Sequence, residues 1–459
     1  MLRRFSFVVL CVVGFSQPVF SYGDFEAWLE RQSHISKQKI IQNISRHDTA
    51  KGVVIASPSR NNPDYYFHWV RDAALVMQQV VSFKNSQSRL LDFARFSRVN
   101  QLTHTQGGIG EPKYYVDGRP YNEPWGRPQN DGPALRAITL IAFANKLLNE
   151  NKQKIVEKYL YNSHIPARSV IKEDLEYISH QWQNPCVDLW EERWGHHFYT
   201  QMVQRKALLE GAKLSHRLND EGAAVWYEGE ANALKTELNK YKSEEKGIII
   251  PTRDGNDSRP SGLDASVILA VLHGYAEDQV FSPNDEWILA TADKLEKSFE
   301  VEYPINHGKF PGMAVGRYPE DVYFGGNPWY LTTIAFAEFY FRLATLFSQD
   351  NKILITKLNS PFFNSLFRYE NTPTPLLSAL LSAGAILTRK DPRYDEILNL
   401  LKWKGDNYLR RVRMHTPENG SFSEQFSRLD GHQVSAHDLT WSFASFLSTL
   451  SARNEFLSK

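Results

Sequence analysis

Carboxylates standing beside tryptophan, tyrosine and arginine recur along this chain, in segments punctuated by glycine and proline. One segment runs from Gly52 through Tyr65 to Trp69-Val70-Arg71-Asp72, and a second from Gly110-Glu111-Pro112-Lys113 to Trp125-Gly126-Arg127-Pro128-Gln129-Asn130-Asp131. A third is Val187-Asp188-Leu189-Trp190-Glu191-Glu192. A fourth joins Gly316-Arg317-Tyr318-Pro319-Glu320-Asp321 and Tyr323 to Asn327-Pro328-Trp329. A fifth, Ser423-Glu424-Gln425-Phe426, precedes Leu439-Thr440-Trp441-Ser442. Sugars present a flat C–H face that packs on an aromatic ring and a rim of hydroxyls that suits forked donors and acceptors. Cleaving an acetal needs two carboxyl groups in different environments, one protonated and one ionised. Glu191 and Glu424 are each close to an aromatic residue and far apart in the chain, so only the fold can bring them face to face. The pattern alone does not separate Glu191 from Glu192, and it leaves solvated loop acids open as an alternative.

The elements that must position these segments are helical. Apolar residues at three- and four-residue spacing predict helices over 73–83, 134–148, 198–218, 223–241, 265–275, 287–299, 331–347, 376–387 and 436–450. Long connections rich in Gly, Pro, Asn and Asp lie between them, and 247–251 is the clearest strand. Helices alternating with long loops read as one toroidal or barrel-like all-α domain, and loops of that length in a compact domain are usually functional.

The five segments, in this order, resemble the glucoamylases of glycoside hydrolase family 15, over a stretch from about Ser45 to Leu450. Gly-Arg-Tyr-Pro-Glu-Asp with Gly-Asn-Pro-Trp, and Asp-Leu-Trp-Glu-Glu, are its most specific motifs. The resemblance implies an (α/α)6 barrel with a pocket formed by loops at one end. It implies removal of terminal α-1,4-linked glucose, and more slowly α-1,6-linked glucose, from the non-reducing ends of starch, glycogen and maltooligosaccharides. β-D-Glucose would leave with inversion. By the same match Glu191 is the general acid and Glu424 the general base that activates water. Arg71 and Asp72 match the Trp-x-Arg-Asp segment that grips the terminal glucose. Trp125 and Arg317 match residues of the first subsites, and Leu189, Trp190, Glu192, Tyr65, Tyr323 and Trp329 match further lining residues. An acid that donates its proton should have a carboxyl raised by burial, here near Trp190 and Trp125, while the base stays ionised. The two carboxyls of an inverting enzyme stand roughly 6.5–9.5 Å apart. Val187 stands where the family usually has tyrosine, which implies weaker contact with the sugar near the cleaved bond, and Arg193-Trp194 replace its often small or apolar residues, which puts affinity beyond the first subsite in doubt. A trehalose- or dextran-splitting relative would share barrel and both glutamates. A non-catalytic carbohydrate-binding relative would be expected to lose one of them.

The remaining composition narrows the class. With 459 residues, 42% hydrophobic, the chain can bury a sizeable core, and a net charge of +1 recruits neither nucleic acid nor an anionic membrane. Leu2-Arg3-Arg4 followed by the apolar run Phe5–Phe15 predicts a signal peptide over 1–21, leaving 22–459 as the catalytic domain without a starch-binding domain. Export makes the expected location the secretory pathway, secreted or vacuolar, and the expected state is a monomer. Cys186 is then the one cysteine of the mature chain and reads as a small buried hydrophobe. Asn43, Asn256 and Asn419 open Asn-x-Ser sequons. His196-His197 are adjacent, which cannot place both on one helix face, so no metal is expected, and no cofactor motif is present.

Overall fold

The structure is a computed structural model that describes residues 22–308, 310, 312–367 and 381–459, so the signal peptide expected over 1–21 lies outside the described residues. In chain order the α-helices are α1 (Tyr22–Gln42), α2 (Val70–Val80), α3 (Gln87–Leu102), α4 (Asp131–Asn149), α5 (Gln153–Tyr159), α6 (Val170–Gln181) and α7 (Phe198–Arg217). They continue with α8 (Glu221–Leu238), α9 (Ser266–Gly274), α10 (Glu286–Glu302), α11 (Tyr330–Asp350), α12 (Ser360–Ser365), α13 (Pro392–Met414) and α14 (Thr440–Leu457).

Six of these close a ring: α2 packs on α4, α4 on α7, α7 on α9, α9 on α11, α11 on α14, and α14 back on α2. An outer layer covers them, with α1 on α14, α6 on α4, α8 on α7, α10 on α9, α13 on α11, and α3 beside α6. This is the expected (α/α)6 barrel. The sequence separates its two layers by how much of each helix is apolar. Asp131 to Ile141 of α4 and Tyr330 to Phe341 of α11 are buried without a break, as a helix enclosed on every side requires. Outer α8 buries only a stripe, Ala224, Tyr227, Ala231, Leu234 and Leu238, at three- and four-residue spacing. Bidentate pairs tie the layers together. Arg136 of α4 donates to Asp174 of α6 through Nε at 2.8 Å and Nη2 at 2.6 Å.

Ring closure brings distant parts of the chain together. Asn43 Nδ2 donates to Thr440 Oγ1 at 2.9 Å, and the Thr440 amide donates to the Ala56 carbonyl at 2.8 Å. Asn43 is therefore buried, whereas Asn256 and Asn419 of the other two sequons are exposed.

Two expectations change. Ile386–Thr388 is a strand paired antiparallel with Lys352–Leu354, not the end of a helix over 376–387, and 376–380 lie outside the described residues. A turn through Gly384, at φ +91°, immediately precedes that strand. The last helix begins at Thr440, and 436–439 form the loop leading into it.

The inner helices share one orientation. Trp69, Asn130, His197, Ala265, Trp329 and Leu439 immediately precede α2, α4, α7, α9, α11 and α14. The five segments singled out by their chemistry thus gather at one end of the barrel, where six helix N-termini add a positive lean.

Candidate active site

At that end lies a cavity of 670 Å³, inside the range of about 300–1,000 Å³ typical of small-molecule sites. Tyr65, Arg71, Asp72, Trp125, Leu189, Trp190, Glu191, Glu192, Arg317, Tyr323, Trp329 and Glu424 all line it, so every residue expected at the site is brought together. Trp441, in the first turn of α14, lines this cavity and also a separate one of 190 Å³ bordered by Gln78, Lys206, Glu338 and Arg342.

Glu191 sits on a tight turn. The Asp188 carboxylate accepts the backbone N–H groups of Glu192 at 2.8 Å and Arg193 at 2.9 Å, and the Asp188 carbonyl accepts that of Glu191 at 3.0 Å. Glu191 itself adopts φ +67°, a left-handed conformation that costs a non-glycine residue about 1 kcal/mol or more and is retained where the surroundings fix it. That strain turns its side chain into the cavity. Its Oε1 accepts from Trp69 Nε1 and from Gln129 Nε2, both at 2.9 Å, and lies 3.7 Å from Arg71 Nη2.

Glu424 approaches from another loop system. Gln425–Phe426 pairs with Gln433–Val434, and Gln425 also bridges to Trp329, so a short hairpin holds the carboxylate over the cavity. Its Oε2 accepts from Gln425 Nε2 at 3.2 Å and from the hydroxyl of Ser435, which stands at φ +65°. Burial pushes the Glu424 carboxyl up to about 7, against hydrogen bonds from Ser435, Tyr65 and Gln425 and the charge of Arg317. The resemblance implied only that this base stays ionised. The carboxyl is raised because the residue is 1% exposed and its partners return only part of the solvation that water would supply.

Arg71 and Asp72 occupy the first turn of α2. Arg71 Nη1 donates to Gln129 Oε1 at 2.9 Å and Asp131 Oδ2 at 3.1 Å, and Nε lies 3.6 Å from Asp72 Oδ2. Burial opposes the guanidinium charge, but Asp131, Asp72 and Glu191 outweigh it and hold Arg71 protonated. Burial also raises Asp72 to about 6, with Arg71 pulling the other way. Across the cavity Arg317 forks onto Asp321, Nε at 2.8 Å and Nη2 at 2.7 Å, and Nη2 reaches Glu192 Oε1 at 2.8 Å. Its guanidinium carbon stands 5.6 Å from the Trp190 ring, 5.1 Å from Tyr323 and 5.3 Å from Trp329. The indole N–H groups of Trp125 and Trp329 are buried without a protein acceptor.

Sequence reasoning missed four participants. Gln129 bridges Arg71 and Glu191, Trp69 donates to Glu191, and Ser435 holds Glu424. Lys113 lines the cavity with its Nζ 3.6 Å from the Trp125 ring and 4.0 Å from Tyr121, and burial lowers it to about 8. Gln129, Trp69 and Lys113 lie within the segments already singled out. Ser435 carries no signal beyond a backbone φ that only coordinates reveal. Val187 is buried behind Gly126, Trp194 is exposed, and neither is among the residues lining the cavity. Cys186 is buried, and its burial pushes the thiol up to about 12, in keeping with a packing role.

A model of glycosyl hydrolases family 15 matches residues 30–451. A glucoamylase of Blastobotrys adeninivorans is 39% identical over 96% of this chain and 74% of its own length. Glucoamylase 1 of Rhizopus oryzae is 35% identical over 93% of this chain and 71% of its own. Among solved structures, a family 15 glucoamylase of Hypocrea jecorina superposes with a TM-score of 0.85 at 30% identity, covering 94% of this chain and 72% of that one. The glucoamylase of Saccharomycopsis fibuligera gives a TM-score of 0.85 at 29% identity, covering 97% and 98%.

Proposed function

Because this chain belongs to glycosyl hydrolase family 15, we propose an assignment of its residues to the steps of an inverting glucosidase. The activity is that of a glucoamylase: hydrolysis of glucose from the non-reducing ends of α-1,4 glucans, with β-D-glucose as product. One observation supports the assignment above the others. Two glutamates from separate loop systems line one aromatic-walled cavity, and one of them sits beside a buried Arg–Asp pair.

Arg71 and Asp72 hold the hydroxyls of the terminal sugar, and the floor beneath it at Trp441 stops a chain from threading through. Attack is therefore confined to chain ends. Glu191 gives its proton to the leaving glycosidic oxygen, its carboxyl oriented by Trp69 and Gln129 so that it meets that oxygen without reorganising. Glu424, ionised, takes a proton from water on the opposite face of the sugar, and the anomeric carbon inverts. Arg317, with Trp190, Tyr323 and Trp329, seats the sugars beside the cleaved bond. Residues 22–459 form the catalytic domain, acting as a monomer on α-glucans outside the cytosol after export. No helix among the described residues is long and apolar enough to cross a membrane.

Digestion of maltoheptaose tests this reading. Glucose should be the first product, with maltohexaose as the complement. Glu191→Gln should lower turnover at least about a hundredfold, the contribution of a general acid. An early ladder of maltose and maltotriose would contradict attack at chain ends, and unchanged turnover of the Glu191 variant would contradict the acid assignment.

A further inference from the structure

Lys113 carries a charge that no carboxylate meets. The residue is only 2% exposed, and its Nζ makes no hydrogen bond or ion pair with the described residues. An ammonium so placed is costly unless its surroundings supply another attraction. Four aromatic rings supply it. The Nζ stands 3.6 Å from the centre of the Trp125 ring, 4.0 Å from Tyr121, 4.2 Å from Phe67 and 4.5 Å from Trp69. All four lie within the roughly 6 Å over which a cation is drawn to a ring face.

The rings also close a circuit around the charge. Phe67 meets Trp69 and Tyr121 edge-on, with centroids 5.8 Å and 5.4 Å apart, and Trp125 meets Tyr121 at 5.7 Å and Trp69 at 6.2 Å. Local pairing brings the cation there. His68–Trp69 lies antiparallel to Lys113–Tyr114 with Trp69 directly opposite Lys113, and opposed residues send their side chains to the same face. Burial lowers the amine only to about 8, with Glu191 and Asp64 pulling upward and Arg127 adding to the burial, so Lys113 is cationic at neutral and acidic pH.

Two of these rings belong to the catalytic site. Trp69 and Trp125 both line the cavity, and the Trp69 indole donates to Glu191 Oε1 at 2.9 Å. Edge contacts hold each ring to its neighbours, whereas one ammonium ties all four at once. We propose that Lys113 is a positioning residue for the general acid: its charge locks the four-ring box, and the box aims the Trp69 indole at Glu191. The purpose of the box rests on the reading of Glu191 as the acid, whereas the box itself does not.

A double-mutant cycle tests this. Lys113→Met keeps the reach and bulk of the side chain and removes its charge, and Trp69→Phe keeps a ring and removes the indole donor. On maltotriose Lys113→Met should lower kcat at least about tenfold through misplacement of the acid and leave KM nearly unchanged. Because both changes act through one hydrogen bond, the double variant should be no slower than the slower single variant. Protein labelled with 15N-tryptophan gives a readout independent of turnover. The indole signal missing from Trp69→Phe identifies Trp69, and Lys113→Met should displace that signal. Unchanged kcat in Lys113→Met, or an unmoved Trp69 signal, overturns the proposal. Multiplying losses in the double variant, or a loss carried by KM alone, also overturn it, because Lys113 would then act on the sugar directly. Turnover unaffected by Glu191→Gln would overturn the acid assignment instead, and is told apart because the Trp69 signal still moves in Lys113→Met.

Discussion

Ser435 donates its hydroxyl hydrogen to Oε2 of Glu424, and this bond is the largest of the influences that lower a carboxyl otherwise raised by burial to about 7. A hydrogen bond to a charged group contributes about 1.5–3 kcal/mol, and a tenfold change in a protonation equilibrium corresponds to about 1.36 kcal/mol. Ser435→Ala should therefore raise the pKa of Glu424 by a further one to two, roughly. Because Glu424 works in its ionised form, the acidic limb of kcat/KM moves up by the same amount. At a fixed pH well below that limb, activity falls about tenfold for every pH unit the limb moves. Ser435→Gly separates the hydroxyl from the backbone, since glycine adopts φ +65° without penalty and should displace the limb just as alanine does. The assay is a pH profile of kcat/KM on maltose for the parent and both variants. An unmoved acidic limb would refute the assignment of Glu424 as the base and of Ser435 as its partner.

The same carboxyl makes stability depend on pH. A folded-state value near 7 against about 4.5 unfolded means stability is fully present below pH 4.5 and is lost as pH rises through 7, by about 3 kcal/mol. Glu424→Gln should thus raise the urea midpoint at pH 8 and leave it nearly unchanged at pH 4; equal gains at both would sink the argument. Gln129→Leu removes the bridge between Arg71 and Glu191 while Trp69 and Asp131 keep their bonds to them. It should lower kcat by about ten- to a hundredfold through misplacement of the acid, with little change in KM. A rise in KM at constant kcat would instead make Gln129 a sugar contact.

The inner ring was the most legible part of the fold, because helices enclosed on all sides must be apolar on all sides, and six of the predicted periodic segments coincide with α2, α4, α7, α9, α11 and α14. Outer helices α1, α3, α6 and α13 escaped, since each buries one face and carries charge on the other, and that polarity dilutes the periodic signal. For α13 a readable start existed: Asp391 caps the helix by accepting from Arg393 N at 3.0 Å, with Pro392 in the first turn. At the site, the twelve expected lining residues came from the resemblance of the loop motifs to the family's, since residue types alone left solvated loop acids open. What sequence cannot encode locally is which donor reaches which carboxylate. Ser435 meets Glu424 only because a hairpin turns back on itself, and Gln129 meets Glu191 because α2, α4 and the loop before α7 converge. The burial of Glu424 likewise comes from elements remote in sequence, which is why its raised carboxyl was not foreseen.

The central claim is inversion by Glu191 and Glu424 at the end of an α-1,4 glucan. Proton NMR of the anomeric signals during the first minutes of maltotriose hydrolysis tests it most directly. The account predicts β-glucose and maltose as the initial products, with α-glucose appearing only as mutarotation proceeds. Initial α-glucose would contradict the two-glutamate inverting assignment.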